Sequence, residues 1–325
     1  MTLPNSRALK QRAKETLAPH EQIAKRLITW HTGVILALNF LVLLFNVLLD
    51  RSMESAGGLS GMRTRSILTT AQFTLQIVVA VVLPFWQISW LHIILKFARS
   101  NCGKPADFLV GFSNFGPVFR LMLLKGLIFA GLIFAGVYAG YFVILATPLA
   151  NPLMEVIVTA TDSDAMYEAA MKAMEQIEVP ILLIGGGISL VLCAPFFYRF
   201  RLAEYFLLDN PDFGARTALR ASRRMMRGNA WSMLKLDLSF WWFWLLSALV
   251  ASIAYADVLL PMLNIPLPIP RDIAFIGAFV LSIPLELLLF RTCKVHVDAT
   301  YAFAYEALTP PPQPTIHAPA PNTQE

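Results

Sequence analysis

The chain has 325 residues, is 57% hydrophobic and only 14% charged, and has a mean hydropathy of +0.60. A soluble domain of this size carries about 25% charged residues. Here the apolar residues come in long unbroken runs, which excludes a water-soluble globule and points to a bilayer as solvent. The net charge of +5 and pI near 9.2 would suit nucleic acid, but the position of the charge along the chain argues otherwise.

Residues 1–26 are polar and basic, with no small-residue cleavage site after a short apolar core. They read as a cytoplasmic leader into a retained helix, not as a secretory signal. Windows almost free of acids and bases follow, and a span needs about 20 residues at 1.5 Å rise each. Six spans are predicted, at about 27–49, 67–95, 120–148, 179–200, 233–256 and 272–292. The last contains Glu286, which fits best near an interface. Between spans three and four, "DSDAMYEAAMKAMEQIE" (162–178) has Met166, Ala170, Met174 and Ile177 at helical spacing, with Asp162 or Ser163 able to cap its start. It is predicted as a short acidic amphipathic helix on the outer surface. Its Asp162-x-Asp164 pair lacks the further ligands and the glycine of a calcium loop. After Leu308 the chain becomes "TPPPQPTIHAPAPNTQE", too rich in proline and too poor in apolar residues for a packed core, so 309–325 is predicted as a disordered cytoplasmic tail.

Basic residues set the orientation. The N-terminus, the 96–125 loop, the 199–235 loop and the segment from Arg291 hold 6, 5, 8 and 2 Lys or Arg, against 3, 1 and 1 in the alternate loops. Positive residues favour the cytoplasmic side. The predicted fold is therefore all-α, a polytopic membrane protein of six transmembrane helices (27–308) in the cell membrane with both termini cytoplasmic.

The densest charge lies in "RTALRASRRMMRGNAW" (216–231). On a helix at about 100° per residue, Arg216, Arg220, Arg223 and Arg227 fall within about 60° of one another, with Arg224 at the edge. Ala218, Leu219, Ala221, Met225 and Met226 take the opposite side. A cytoplasmic amphipathic helix is predicted at about 211–228, with Asn210-Pro211 as cap and first turn and Gly228 as its left-handed end. Its arginines are read as contacts to anionic phospholipid headgroups, with the apolar side sinking into the acyl boundary. Nucleic acid is disfavoured as a partner, because one short helix tethered to spans is not a soluble basic module.

"LKQRAKETL" (9–17), "YFLLDNP" (205–211), "ALRASRRMMRGNAWSMLKLDLSFWW" (218–242) and "YEAL" (305–308) resemble the bacterial integral-membrane family called domain of unknown function 975. That family shows a leading LK-x-x-A-x-x-x-L, a central A-x-x-S-R-x-x-M-x-G followed by L-x-LSF, and a terminal Y-E, in this order. The chain departs at Ala194-Pro195-Phe196, where the family often has an Ile-Pro-Gly tract, and at Trp241-Trp242, where Ile-Gly usually follows LSF. The resemblance implies a polytopic membrane protein and carries over no catalytic residue.

Within the spans, Glu286 stands out because intramembrane acids are costly and often functional. Arg291, about 7.5 Å further along the axis, and Lys125 at the inner end of span three are its candidate partners. Asn39, Asn46, Gln72 and Gln76 can bridge helices by hydrogen bonds, and "GLIFAGLIFAGVYAG" (126–140) sets Gly126, Gly131, Gly136 and Gly140 at spacings that allow close helix approach. The neighbour is a helix of this chain, a membrane-protein partner or a second copy. Lys235 and Asp237, with Trp231 before them, look like an entry interface. Trp241, Trp242 and Trp244 lie too deep for an aromatic belt, so either span five starts late or these rings pack between helices.

No catalytic or metal site and no cofactor is expected. "GGLSGM" fails as a nucleophile elbow, Gly103-Lys104 lacks the upstream glycine of a phosphate loop, and His20-Glu21 has no second histidine. Three widely spaced cysteines imply no disulfide framework. Two function classes remain. One is a non-enzymatic membrane component that organises, assists or regulates partners or lipids through its basic loop. The other is a small transporter with a polar site near Glu286, disfavoured because no paired interrupted helices are visible.

Overall fold

The computed structural model describes residues 2–55, 59–148, 151, 163–254 and 271–309. Every regular element among them is helical. In chain order these are α1 (Ser6–Leu17), α2 (Glu21–Ser55), α3 (Leu59–Ala98), α4 (Val110–Ser113), α5 (Phe115–Leu145), α6 (Ser163–Phe200), α7 (Ala203–Asp209), α8 (Ala215–Met225), α9 (Ala230–Leu238), α10 (Trp241–Ala254), α11 (Arg271–Leu289) and α12 (Val295–Leu308), with a π-helical turn over Phe290–Lys294 joining the last two. Five stretches are long and apolar enough to cross a membrane. A sixth is reached when the bent pair α9 and α10 counts as one span. The chain is thus a multi-pass membrane protein built of helices, and it divides into two compact units, residues 1–115 with 231–325, and residues 116–230.

In the first unit the leader is a packed element. Asn5 caps α1 by accepting from the Arg7 amide, and Leu9, Ala13 and Leu17, each four residues apart, are buried. They face α12, which in turn lies against α3. From Val297 to Tyr305 every residue of α12 is buried. A helix buried on all sides is a core element, so the segment after span six is a packed part of this unit. Its polar residues are paired: Asp298 accepts from Trp90 Nε1 at 2.7 Å and from Lys294 Nζ at 2.7 Å, and Tyr301 donates to Asp237 Oδ1 at 2.5 Å. Trp90, Phe97, Phe303 and Tyr305 are among the largest fully buried side chains. His31 is also buried, its ring stacked on Trp90 at 5.2 Å and on Trp86 at 6.0 Å.

The region read as a 96–125 loop instead folds back onto α3. Asp107 is buried but takes an ammonium from Lys96 at 2.6 Å and the Lys104 amide at 2.7 Å. Burial alone would raise its carboxyl, and these two donors outweigh it and hold it below the usual carboxylate range. Gly111 sits where a Cβ would strike the Phe85 carbonyl, and its amide donates to Ser89 Oγ at 2.9 Å. The third span accordingly starts at Phe115, not near 120. Asn46 and Gln72 join α2 to α3, Gln72 Nε2 donating to Asn46 Oδ1, while Asn39 and Gln76 are exposed.

Span five breaks at Ser239–Phe240, where α9 and α10 meet at 61°. In a continuous helix the Phe243 amide would bond to the Ser239 carbonyl. Lys10 Nζ takes that carbonyl at 2.7 Å and lies 4.0 Å over the Phe240 ring, and the Phe243 amide turns to Phe240 O at 2.9 Å. The break bears on the tryptophans. The helix restarts at Trp241, and Trp241, Trp242 and Trp244 are exposed, not packed between helices, while Phe243 is buried. The sixth span carries Pro284 within its helix and then a π turn, and runs on without a break into α12.

In the second unit α6 runs unbroken from Ser163 to Phe200 through Pro180 and Pro195. The expected outer helix at 162–178 is therefore continuous with the helix of span four, whose membrane-length apolar stretch begins at Val179. Asp162 and residues 310–325 lie outside the described residues. A Cβ on Gly136 would come within 2.6 Å of Ser189 Cα, and one on Gly140 within 2.5 Å of Gly185 Cα, whereas Gly126 and Gly131 meet open space. Two of the four glycines thus permit the close approach of α5 to α6 within this chain.

Replacing Gly140 by Ala should overpack this contact at a cost of about 1–3 kcal/mol and lower the Tm in detergent. Gly131→Ala should leave the Tm unchanged or raise it slightly, since Ala favours helix over Gly by up to about 1 kcal/mol. Equal melting of the two variants would contradict the close approach.

Candidate functional site

The arginine helix is held by the end of α6. After Phe200 the chain turns, forms the seven-residue α7, and reverses at Asn210–Gly214, where the Phe213 amide bonds to Asn210 O at 3.1 Å. Asn210 does not cap α8, because its side chain donates back to Phe206 O at 3.2 Å. Gly214, in extended conformation, is the N-cap, so the helix is Ala215–Met225 and not 211–228. Gly228, at φ +82°, ends the segment in the left-handed region that favours glycine.

One side of α8 is spent on protein. Ala215, Ala218, Leu219 and Ser222 are buried, as is Met226 just beyond, against α7 and α6. Ser222 makes the join specific: its Oγ donates to the Arg199 carbonyl at 2.8 Å and accepts from the Leu202 amide at 3.2 Å. It thereby satisfies a carbonyl that the last turn of α6 leaves open. The apolar side of the helix is therefore largely covered by protein, with Ala221 and Met225 half-buried. Helical periodicity shows that a face will be buried but not against what.

With that side docked, Arg216, Arg220, Arg223, Arg224 and Arg227 are all exposed, but they do not act as one row. Arg220, Arg223, Arg224 and Arg227 line a cavity of about 720 Å³ together with Arg199 from the last turn of α6. Pro195, Tyr198 and Met226 supply its apolar wall, and none of its lining residues is acidic. Arg216 is turned to a separate cavity of about 430 Å³ with Arg120, Leu123 and Leu127. Five guanidinium groups around one hollow, each a planar fork of donors, make an arrangement suited to anionic oxygens. Arg199 was missed from sequence because it looks like an ordinary boundary cation. Its partners are 21 or more positions away, a separation that leaves no periodic trace.

The other residues singled out fall elsewhere. Lys125 pairs with Glu204 of α7, both largely buried. Glu286 is half-buried on α11 and forms no side-chain ion pair among the described residues, and Arg291 is exposed. Lys235 lies 5.8 Å over the Trp231 ring. Among the described residues no group of three or more His, Cys, Asp or Glu could hold a metal ion.

The residues that carry the resemblance have structural work in this geometry. Ser222, Met226 and Gly228 of the central motif are the stitch, the buried side and the terminator of the arginine helix. No curated protein and no solved structure matches the chain. The family described as Protein of unknown function (DUF975) matches residues 9–309, which takes in α1, the arginine helix and α12 alike, and the chain belongs to that family.

Proposed function

We propose that this protein is a non-enzymatic component of the cell membrane that organises, assists or regulates other membrane constituents through an arginine face held against anionic phospholipid, with both termini and α8 on the cytoplasmic side. The observation that carries the reading is the docking of α8, which leaves five arginines of this region around one hollow with no acid among its walls. The excess of Lys and Arg in the alternate loops supports the orientation. So does the packing of α1 on α12, which brings the first and last described helices together. Each basic residue near an anionic surface contributes about 1 kcal/mol. With the apolar side engaged in protein, the attraction is electrostatic alone, and salt screens it over about 10 Å at 0.1 M.

In vesicles containing anionic lipid, a cysteine at the exposed Asp212 of a cysteine-free chain should react slowly with a water-soluble thiol reagent. Reversing Arg220, Arg223 and Arg227 to Glu should speed the reaction several-fold, as should 1 M salt, and neither change should matter in neutral vesicles. Unaltered rates in anionic vesicles would contradict the reading.

A transporter is the second reading, favoured by irregular backbone in two spans that pack together, the break between α9 and α10 and the π turn after α11. Discontinuous spans are where transporters place their sites, and Glu286 lies one turn before the π turn. Substrate-coupled flux into vesicles that is abolished in Glu286→Gln would favour this reading. Flux equal in the two proteins would remove Glu286 from it.

A further inference from the structure

We propose that the arginine cavity is a discrete site for one phospholipid bearing a phosphate monoester, with its phosphate among the arginines and an acyl chain in the adjoining groove between α5 and α6. This rests on the reading that α8 faces the membrane surface, and it goes further by naming the ligand and its pose.

Two cavities of the second unit meet at Tyr198. On one side is the arginine hollow of about 720 Å³, within the range of pockets for small ligands. On the other is an apolar groove of about 530 Å³, whose walls include Phe129 and Ile133 of α5 and Leu190, Cys193 and Phe197 of α6. Tyr198 lines both. From Leu190 to Arg199 the axis of α6 advances about 13 Å, so the groove runs along the span and the cationic hollow lies at its end. An amphiphile has the same order, with its tail along the span and its anionic head beyond. A soluble phosphate would have no use for the groove, and a neutral lipid none for the arginines.

The charge count selects among anionic heads. A phosphate monoester carries about −1.5 to −2 at pH 7 and three terminal oxygens, whereas a diester offers one charge and two such oxygens. Guanidinium groups bind oxygen pairs as two-pronged forks. Arg199, Arg220, Arg223, Arg224 and Arg227 exceed what a diester can engage, and the walls hold no acid to offset them.

The test uses the full-length protein in detergent and titrates phosphatidic acid, phosphatidylglycerol and inorganic pyrophosphate, with retained lipid counted by native mass spectrometry. One phosphatidic acid per chain is expected, with phosphatidylglycerol about tenfold weaker or more. Arg199→Gln and Arg223→Gln should each weaken phosphatidic acid by about tenfold or more. Arg216→Gln, which alters the separate cavity, should not. Cys193→Phe, which fills the groove, should weaken the lipid and leave the weak pyrophosphate binding as it was.

Equal affinity for the two lipids, with equal losses in all three arginine variants, would overturn the site while leaving the general lipid-facing reading intact. Pyrophosphate bound as tightly as lipid and indifferent to Cys193→Phe would overturn the lipid assignment in favour of a soluble phosphate. No retention of either anionic lipid would overturn both this site and the reading it rests on. Thermal melts alongside show whether each variant is folded.

Discussion

A helix with arginine on one side and Ala, Leu, Ser and Met on the other can satisfy both sides only by finding two different surroundings. Here the apolar side of α8 is closed against α6 and α7, and Ser222 locks it by bonding to the Arg199 carbonyl and the Leu202 amide. That single docking orients the arginines. It directs four of them to a common hollow, and it brings in Arg199, whose own carbonyl is part of the lock. A hydroxyl on an otherwise apolar face is costly unless paired, so Ser222 also fixes the register. Sliding the helix by one residue would leave it buried without partners.

The first unit is ordered by the same economy of polar groups. The helix α12 is buried almost throughout, and inward polar side chains on it are paired, Trp90 and Lys294 with Asp298 and Asp237 with Tyr301. Lys10 of α1 reaches the Ser239 carbonyl and so ends α9 where α10 begins. The N-terminal helix, the break in span five and the C-terminal helix are consequently one construction. A change at any of these points bears on the others.

The spans were legible because lipid imposes a simple rule on sequence, a charge-free window of about 20 residues; α2, α3, α5 and α6 obey it, and α11 does so but for Glu286. The arginine helix was legible from its period, though its start was put four residues early because Pro211 imitates a first turn. The break at Ser239 was not legible, since it depends on Lys10, 229 positions away. Nor was α12, because "VHVDATYAFAYEAL" shows no apolar stripe to distinguish inside from outside. Of the site, four arginines were on the page as a cluster. The fifth, and the separation of Arg216 from them, required the fold.

The claim on which the site depends is that the inner side of α8 lies against protein, neither in lipid nor in water. The direct measurement is the reactivity of single cysteines at Ser222 and Arg223, in a chain lacking its three native cysteines, toward one water-soluble and one membrane-soluble maleimide in vesicles of neutral lipid. The account predicts that a thiol at 222 resists both reagents while one at 223 reacts with the water-soluble one. Prompt reaction at 222 with the membrane-soluble reagent would show that the helix lies with this side in the bilayer and would contradict it.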